Sequence, residues 1–115
     1  MVKNGYQLPV EHREHMRGGD GTVTLRAFLS PEEMHGKNRL FSRLTLPQGA
    51  SIGFHEHHGE SEIFVVVSGT GLFSDNGREV PVGPGDVCVT VSGTGHAIRC
   101  TGSQDLELVA LIVLD

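Results

Sequence analysis

Three histidines and three glutamates stand within twelve residues of one another, in the stretch GFHEHHGESEIF at positions 53–64. Imidazole and carboxylate groups are the side chains that hold divalent transition metals and transfer protons. His55 and His57 are one residue apart, so in a strand they face the same side with Cα atoms about 7 Å apart. Two imidazoles at that spacing can reach one ion, and the stretch predicts part of a metal site.

Two further ligand candidates come from neighbouring strands. Glu62 lies early in the strand that follows the turn HGES, and its carboxylate reaches the same point if it faces the same side. His96 opens the stretch HAIRC after tight turns at Gly93 and Gly95, which bring its imidazole inward. Three imidazoles and one carboxylate form a borderline nitrogen and oxygen site for a transition metal. An ion that prefers six ligands would keep two positions open, for catalysis or for ligand capture.

Other interpretations also fit the same residues. The four polar residues could form a polar barrel mouth without a metal. His58 and Glu60 could serve as ligands if the turn differed by one residue. The histidines of EHREH at 11–15 are expected in solvent. His35 is expected to be exposed, with the alternative that it and Met34 overhang the barrel mouth.

Short strands separated by turns must position these side chains. Sixteen glycines and five prolines supply many turns. About nine strands are predicted, with turns every 8 to 12 residues. Ser30, Pro31 and Glu33 carry a helix-start signature with a capping box, which predicts one short helix. Asp-Asn-Gly at 75–77 predicts a type I′ hairpin turn. The pattern is typical of an all-β sandwich or barrel.

The bulk properties exclude several classes of function. A chain of 115 residues fits one domain, divided here into an N-terminal arm at 1–21 and a barrel at 22–115. A net charge of −5 argues against nucleic acid as a partner. No apolar run approaches the roughly 20 residues of a membrane span. The start of the chain lacks a secretory signal, so Cys88 and Cys100 are expected to be reduced thiols in the cytoplasm.

The spacing of the candidate ligands resembles the two motifs of the cupin superfamily, in particular its small single-domain members. The first motif comprises Gly49, five residues, His55, one residue, His57, four residues, Glu62, six residues and Gly69, and the second comprises Gly85, Gly93, two residues and His96. Val91 and Cys100 depart from the second motif, where proline and asparagine are usual. Neither position is a metal ligand in the family, so these departures concern loop rigidity.

This resemblance implies a fold, a cofactor and a range of activities. The fold would be a double-stranded β-helix, or jelly-roll barrel, with the metal on His55, His57, Glu62 and His96. Manganese or iron is the metal most often found in cupins, with zinc or nickel as alternatives. The expected function is an enzyme acting on a small oxygenated organic molecule, as a dioxygenase, decarboxylase or isomerase. The alternative is a non-catalytic module that binds a sugar or an organic acid.

Five residues are candidates for a substrate pocket beside the metal. An inward arginine would suit a carboxylate or phosphate group, and apolar neighbours would favour organic ligands. The alternative for the arginine is an outward position or a salt bridge. The candidates are Phe41, Arg43, Phe64, Ile98 and Ile112.

Two strands, EIFVVV and LELVALIVL, are apolar on both faces. A sheet that is buried on one side only would alternate apolar with polar residues. The outward side chains therefore need cover from the N-terminal arm or from a second subunit, and a homodimer is expected, with exchange of the arms as an open option. These side chains are Ile63, Val65, Val67, Val109, Leu111 and Val113.

Overall fold

Ten antiparallel strands in two sheets form the protein, as seen in a computed structural model that describes residues 1–115. The strands are β1 (Val10–Glu14), β2 (Thr22–Ala27), β3 (Asn38–Leu46), β4 (Ser51–Glu56), β5 (Glu60–Ser68), β6 (Gly71–Asp75), β7 (Arg78–Val82), β8 (Val87–Thr90), β9 (Gly95–Cys100) and β10 (Leu106–Leu114). The larger sheet has the order β1-β2-β3-β10-β5-β8, and the smaller has the order β4-β9-β6-β7. The predicted all-β jelly-roll fold is confirmed.

The space between the two sheets is filled by alternate side chains of each strand. In β3, Ser42, Leu44 and Leu46 are buried, while the residues between them are only partly buried. The same alternation in β5 and β10 places Phe64 and Leu108 inside. Sixteen buried residues from both sheets form one hydrophobic cluster. Burial of this apolar surface is the main force that holds the sheets together.

The helical structure is limited to three short 3-10 helices, Gly5–Gln7, Met16–Gly18 and Glu32–Met34. The predicted capping box is present at the third: the Ser30 backbone N–H donates to Glu33, and the Glu33 N–H donates to the Ser30 hydroxyl. The element nevertheless ends after one turn, at His35, whose φ of 52° is left-handed. None of the helical segments is long or apolar enough to span a lipid bilayer.

The hairpin between β6 and β7 turns at Asn76 and Gly77, as its sequence predicts. Both residues have positive φ angles, 51° and 99°, and the flanking residues Asp75 and Arg78 pair directly. Positive φ at both central positions is what a type I′ turn requires. The turn also supports the neighbouring strand, because the Asn76 side-chain carbonyl accepts a hydrogen bond from the Gly95 N–H.

Much of the expected N-terminal arm belongs to the larger sheet. Strand β1 pairs with β2 of the same chain, from Val10 opposite Arg26 to Glu14 opposite Thr22. The Met16–Gly18 helix then crosses to the other sheet and packs on β4. The arm therefore bridges the two sheets at one end of the barrel, and it leaves the outer surface of β5 and β8 uncovered.

Candidate metal centre

Four side chains from β4, β5, β9 and the loop after β4 converge at one end of the barrel interior. His55 and His96 are directly opposite each other in the paired strands β4 and β9. His57 follows β4 and is held by backbone hydrogen bonds to Thr94 and Gly93. Glu62 lies in β5. The structure thus brings together the four residues that the sequence predicted as metal ligands.

The converging atoms are the Nε2 atoms of the three histidines and Oε1 of Glu62. The Nε2 atom of His96 lies 3.2 Å from that of His57 and 3.3 Å from that of His55. Oε1 of Glu62 lies 3.0 Å from His96 Nε2 and 3.1 Å from His57 Nε2. The four ligand atoms, one from each residue, all lie within 4.8 Å of one another. His57, Glu62 and His96 are buried, and His55 is half-buried.

Hydrogen bonds on the far side of the His55 and His57 rings leave the inward nitrogens of these two residues without protons. Nδ1 of His55 donates to the carbonyl oxygen of Gly53 at 2.8 Å, and Nδ1 of His57 donates to Glu60 Oε2 at 2.6 Å. In their neutral forms these two rings direct lone pairs from Nε2 into the cluster. Even if His96 carries its proton on Nε2, one proton cannot satisfy two nitrogens and a carboxylate oxygen. The cluster is therefore electron-rich and suited to bind a cation.

The separations between these atoms fit ligands around a single ion. For ligands about 2.1 Å from a metal, neighbours are separated by about 3.0 Å at octahedral angles and by about 3.4 Å at tetrahedral angles. The separations of the four close pairs, 3.0 to 3.3 Å, fall within this range. The donor set of three imidazoles and one carboxylate suits manganese, iron, nickel or zinc. The residues present thus fit a divalent transition metal.

A chain of polar groups extends from His57 to the surface. Glu60 accepts the Nδ1 hydrogen bond of His57 and also binds Arg39 through two hydrogen bonds, of 2.8 and 2.9 Å. The hydrogen bond from Arg39 lowers the pKa of Glu60 to about 2, and the contact with His57 adds to this effect. Glu60 therefore remains a carboxylate and keeps the His57 ring oriented.

The other two rings are held by different neighbours. His96 shares a hydrogen bond of 2.8 Å between its Nδ1 and the Thr90 hydroxyl, and its ring stacks on Phe64 with centroids 5.0 Å apart. His55 is the most accessible of the three. Burial lowers its pKa, with a smaller contribution in the same direction from the charges of His96 and Arg17, so its neutral, metal-binding form is favoured.

The predicted pocket residues fall into three groups. Phe64 and Ile112 line a cavity of about 30 Å³ beside His55, His57 and Glu62. Ile98 is buried in the hydrophobic cluster instead.

Phe41 and Arg43 lie on the outer side of β3, because Ser42 and Leu44 between and beside them face inward. Arg43 binds Glu107 at 2.9 Å, and Phe41 packs edge-on against Phe28. The expectation that Phe41 and Arg43 project into the barrel is therefore corrected. The alternative position for Arg43, in a salt bridge on the outer face, is the one observed.

The alternative ligands occupy other positions. His58 is exposed, and Glu60 supports His57 from outside the cluster. His35 is exposed, whereas Met34 is buried.

Sequence reasoning missed three residues of the arm. Arg13, Met16 and Arg17 line the opening of the cavity, although the stretch EHREH was assigned to solvent. His12 and His15 of that stretch are exposed. The sequence signal for this contact is the pair Gly19 and Gly53, which lets the arm approach β4. The two glycines are far apart in the sequence, so neither one alone indicates the contact.

Comparison with known proteins identifies the family. The sequence model described as the Cupin domain matches residues 42–113. An "oxalate-binding protein" of Thermotoga maritima is 48% identical over 114 residues, which cover 99% of this chain and 94% of that protein. The crystal structure of a Thermotoga maritima protein, described as a predicted oxalate decarboxylase, is 48% identical and superposes with a TM-score of 0.96 over 100% of both chains.

A more distant structure shares the fold alone. The cupin domain of Cnp3 from Schizosaccharomyces pombe is 12% identical, with a TM-score of 0.74 over 91% of this chain and 69% of that one. The architecture thus persists at an identity too low to carry an argument about function. Taken with the metal-ligand geometry and the family match, these similarities show that the chain belongs to the cupin family.

Proposed function

We propose that the protein binds one divalent metal ion through His55, His57, Glu62 and His96, and that the metal captures a small dicarboxylate such as oxalate. The observation that carries this proposal is the convergence of three imidazole nitrogens and one carboxylate oxygen at separations of 3.0 to 3.3 Å. The name of the Thermotoga maritima relative, an oxalate-binding protein, supports the choice of ligand.

The cavity beside the cluster limits the size of the ligand. A volume of about 30 Å³ holds roughly two water molecules, since one water needs about 10–15 Å³ of such space. The bound metal would supply Lewis acidity and two coordination positions for oxygen atoms. Phe64 and Ile112 exclude further water from this end of the barrel. A compact anion with two adjacent oxygen donors fits these limits better than a sugar does.

Binding without turnover is the function that the cavity supports best. Decarboxylation of a dicarboxylate needs a proton at the carbon that loses carbon dioxide. Glu62 is the carboxylate among the lining residues, and it is committed to the metal. Glu60 is held as an anion by Arg39 and does not line the cavity. The side chains around the cavity therefore offer no acid suited to deliver that proton.

A metal-dependent enzyme of the decarboxylase, dioxygenase or isomerase type is the second candidate. It is favoured by the likeness to the Thermotoga maritima protein described as a predicted oxalate decarboxylase. Manganese or iron is the proposed metal in either case, with zinc or nickel as alternatives, because all four accept imidazole and carboxylate ligands.

Titration of oxalate into metal-loaded and metal-free protein tests both candidates. Elemental analysis should give one metal per chain, and calorimetry should show oxalate binding to the loaded form only. Oxalate, formate and carbon dioxide are then measured over hours. Unchanged oxalate supports the binding module, and loss of oxalate with matching formate supports the enzyme. Equal binding with and without metal would contradict the proposal.

We also infer that the outer face of the larger sheet joins two copies of the chain. Its apolar side chains form two rows across paired strands, Val87–Val65–Val109 and Val89–Ile63–Leu111. Val87, Val89, Val67 and Val113 are 38 to 59% exposed. Burial of the exposed Val87 and Val89 contributes up to about 1.5–3 kcal/mol each before ordering costs, and the four partly buried side chains of the rows add less. A second copy supplies an identical apolar face.

Light scattering during gel filtration tests this interface. The wild-type protein should elute with the mass of two chains. Val87→Lys should shift it to the mass of one, because a lysine would be buried in the apolar contact. Leu72→Lys, on the outer face of the smaller sheet, is the matched control and should leave the mass unchanged. A wild-type monomer would refute the interface.

We also infer a cytoplasmic location. Cys88 and Cys100 are buried and free, which fits a reducing compartment such as the cytoplasm. Burial raises the pKa of the Cys88 thiol to about 11, so it is poorly reactive. The acidic net charge of −5 continues to argue for a small-molecule partner over nucleic acid.

A further inference from the structure

We propose that Arg17 is the specificity-determining residue of the site, and that it binds the second negative charge of a dianionic ligand held at the metal. This inference rests on the proposed function and adds a residue from outside the two cupin motifs. Arg17 belongs to the short helix Met16–Gly18 and lines the opening of the cavity that contains His55, His57 and Glu62.

Two glycines allow the Arg17 segment to lie directly on the strand that carries His55. A Cβ atom at Gly53 would overlap with the carbonyl oxygen of Arg17, and a Cβ atom at Gly19 would overlap with that of Ser51. Gly53 is two residues before His55 in β4. Any larger residue at these positions would move the Arg17 backbone away from the metal ligands.

The backbone of this segment is held in an unusual conformation. His15 and Arg17 both have left-handed φ angles, 50° and 54°, which are costly for residues other than glycine. The segment is fixed by hydrogen bonds from the His15 N–H to Gly21 and from the Gly18 N–H to His15, at 2.9 and 2.8 Å. Local strain of this kind persists where surrounding contacts over-determine it, and such positions concentrate at ligand sites.

Among the three arginines that line the cavity, Arg17 is the one without a partner. Arg13 binds Glu11 through two hydrogen bonds, and Arg39 binds Glu60 through two more. Arg17 makes no ion pair and is exposed. An exposed guanidinium retains its hydration until a ligand arrives, and its fork of N–H donors matches a carboxylate.

The charges at the site favour a dianion. A divalent metal with Glu62 as its one anionic ligand leaves a single positive charge. A monoanion would neutralise that charge, whereas a dianion would leave one negative charge close to a partly buried site. Arg17 supplies the matching positive charge, which lowers the cost of holding the second negative charge there. The structure therefore predicts a preference for oxalate over oxamate, which has a similar shape and carries one negative charge.

Calorimetric titration of manganese-loaded protein with oxalate and oxamate tests this role. Arg17→Gln should weaken oxalate binding by about 10- to 100-fold, the usual effect of losing a hydrogen-bonded charge, and should change oxamate binding little. The manganese content should stay at the wild-type value. Arg26→Gln is the matched control, because Arg26 lies on the outer side of β2 and the substitution removes the same positive charge. It should bind both ligands as the wild type does.

Several results would overturn the inference. Unchanged oxalate affinity in Arg17→Gln, or an equal loss for oxalate and oxamate, would remove the specificity role. Loss of manganese in that variant would assign Arg17 to the support of the metal site. If Arg17→Gln does not fold, the wild-type preference decides: equal affinity for oxalate and oxamate refutes the proposal, and tighter oxalate binding that weakens in Arg17→Lys supports it. If the metal-loaded wild-type protein does not bind oxalate, the proposed function itself is refuted.

Discussion

The two ends of the barrel interior hold their side chains by different means. At one end, His55, His57 and His96 are oriented by hydrogen bonds at their outer nitrogens, and their inner nitrogens point at one another. At the other end, residues such as Leu106 and Leu108 are fully buried among apolar neighbours. The apolar end is complete within the folded chain, whereas the polar end is suited to bind a cation. Changes at the two ends should therefore have separable effects on folding and on metal binding.

The largest effect on metal binding is expected from a substitution at His57. His57→Ala should reduce metal affinity more than 100-fold. Removing a residue that only hydrogen-bonds to a metal ligand already lowers affinity by about 10- to 100-fold, and loss of the ligand itself should lower it further. His58→Ala should change affinity little, since His58 is exposed. Elemental analysis after dialysis and metal titration by calorimetry measure both variants. The reverse pattern, with His58 essential and His57 dispensable, would overturn the ligand assignment.

At the apolar end the expected effect is on folding. Leu108 has 0% exposure, so Leu108→Ala should lower the free energy of unfolding by about 2–5 kcal/mol. The decrease should be the same with and without metal. Urea unfolding monitored by circular dichroism measures it, with Val10→Ala, at a 49% exposed position, as the control. A decrease that appears only in the metal-loaded protein would show that the two ends are coupled.

The outer support of the polar end can be weakened without removal of a ligand. Glu60→Gln keeps the shape of the side chain but removes the charge that holds the Nδ1 proton of His57. Metal affinity should fall about 10- to 100-fold. Glu56→Gln is the matched control, because Glu56 is exposed and lies between His55 and His57 in sequence. Equal affinities in the two variants would show that Glu60 does not orient His57.

The smallest effect is expected from a mild change in pH. Imidazole ligands must be neutral, so metal affinity should begin to fall below about pH 6. The lowered pKa of His55, caused mainly by burial, delays its protonation as the pH falls. Metal titrations between pH 7.5 and 5 measure the effect. An affinity that stays constant to pH 5 would contradict the assignment of three histidine ligands.

Glu60 should respond in a lower pH range. Its pKa in the folded protein is about 2, below the ordinary value of 4.5. A lowered pKa means that the folded state favours the carboxylate, so the stabilisation is present above about pH 4.5 and is lost as the pH falls toward 2. Unfolding of the metal-free wild type and of Glu60→Gln should therefore converge at low pH. A constant difference across this range would assign the stabilisation to another cause.

The sequence by itself determined the all-β fold and the set of candidate ligands. Alternation with a period of two placed His55 and His57 on one face, and the glycine-rich turn before His96 marked the start of its strand. The apolar character of both faces of β5 and β10 was also readable, because side-chain polarity does not depend on what covers it. These features are local, so single stretches of sequence carry them.

The tertiary structure decided which residues surround the ligands. Alternation within β3 places Arg43 on the face opposite to Leu44, but which of the two faces lies inside depends on how the two sheets pack. Glu107 becomes the partner of Arg43 through the register between β3 and β10, which no single strand specifies. Glu60 accepts a hydrogen bond from His57, and its carboxylate is held in place by Arg39, which lies far away in the sequence. Arg17 reaches the cavity because the arm can lie on β4 only where Gly53 leaves space for its backbone. Contacts between distant segments depend on how the strands and the arm pack in three dimensions, and the pattern of residues along one segment does not specify that packing.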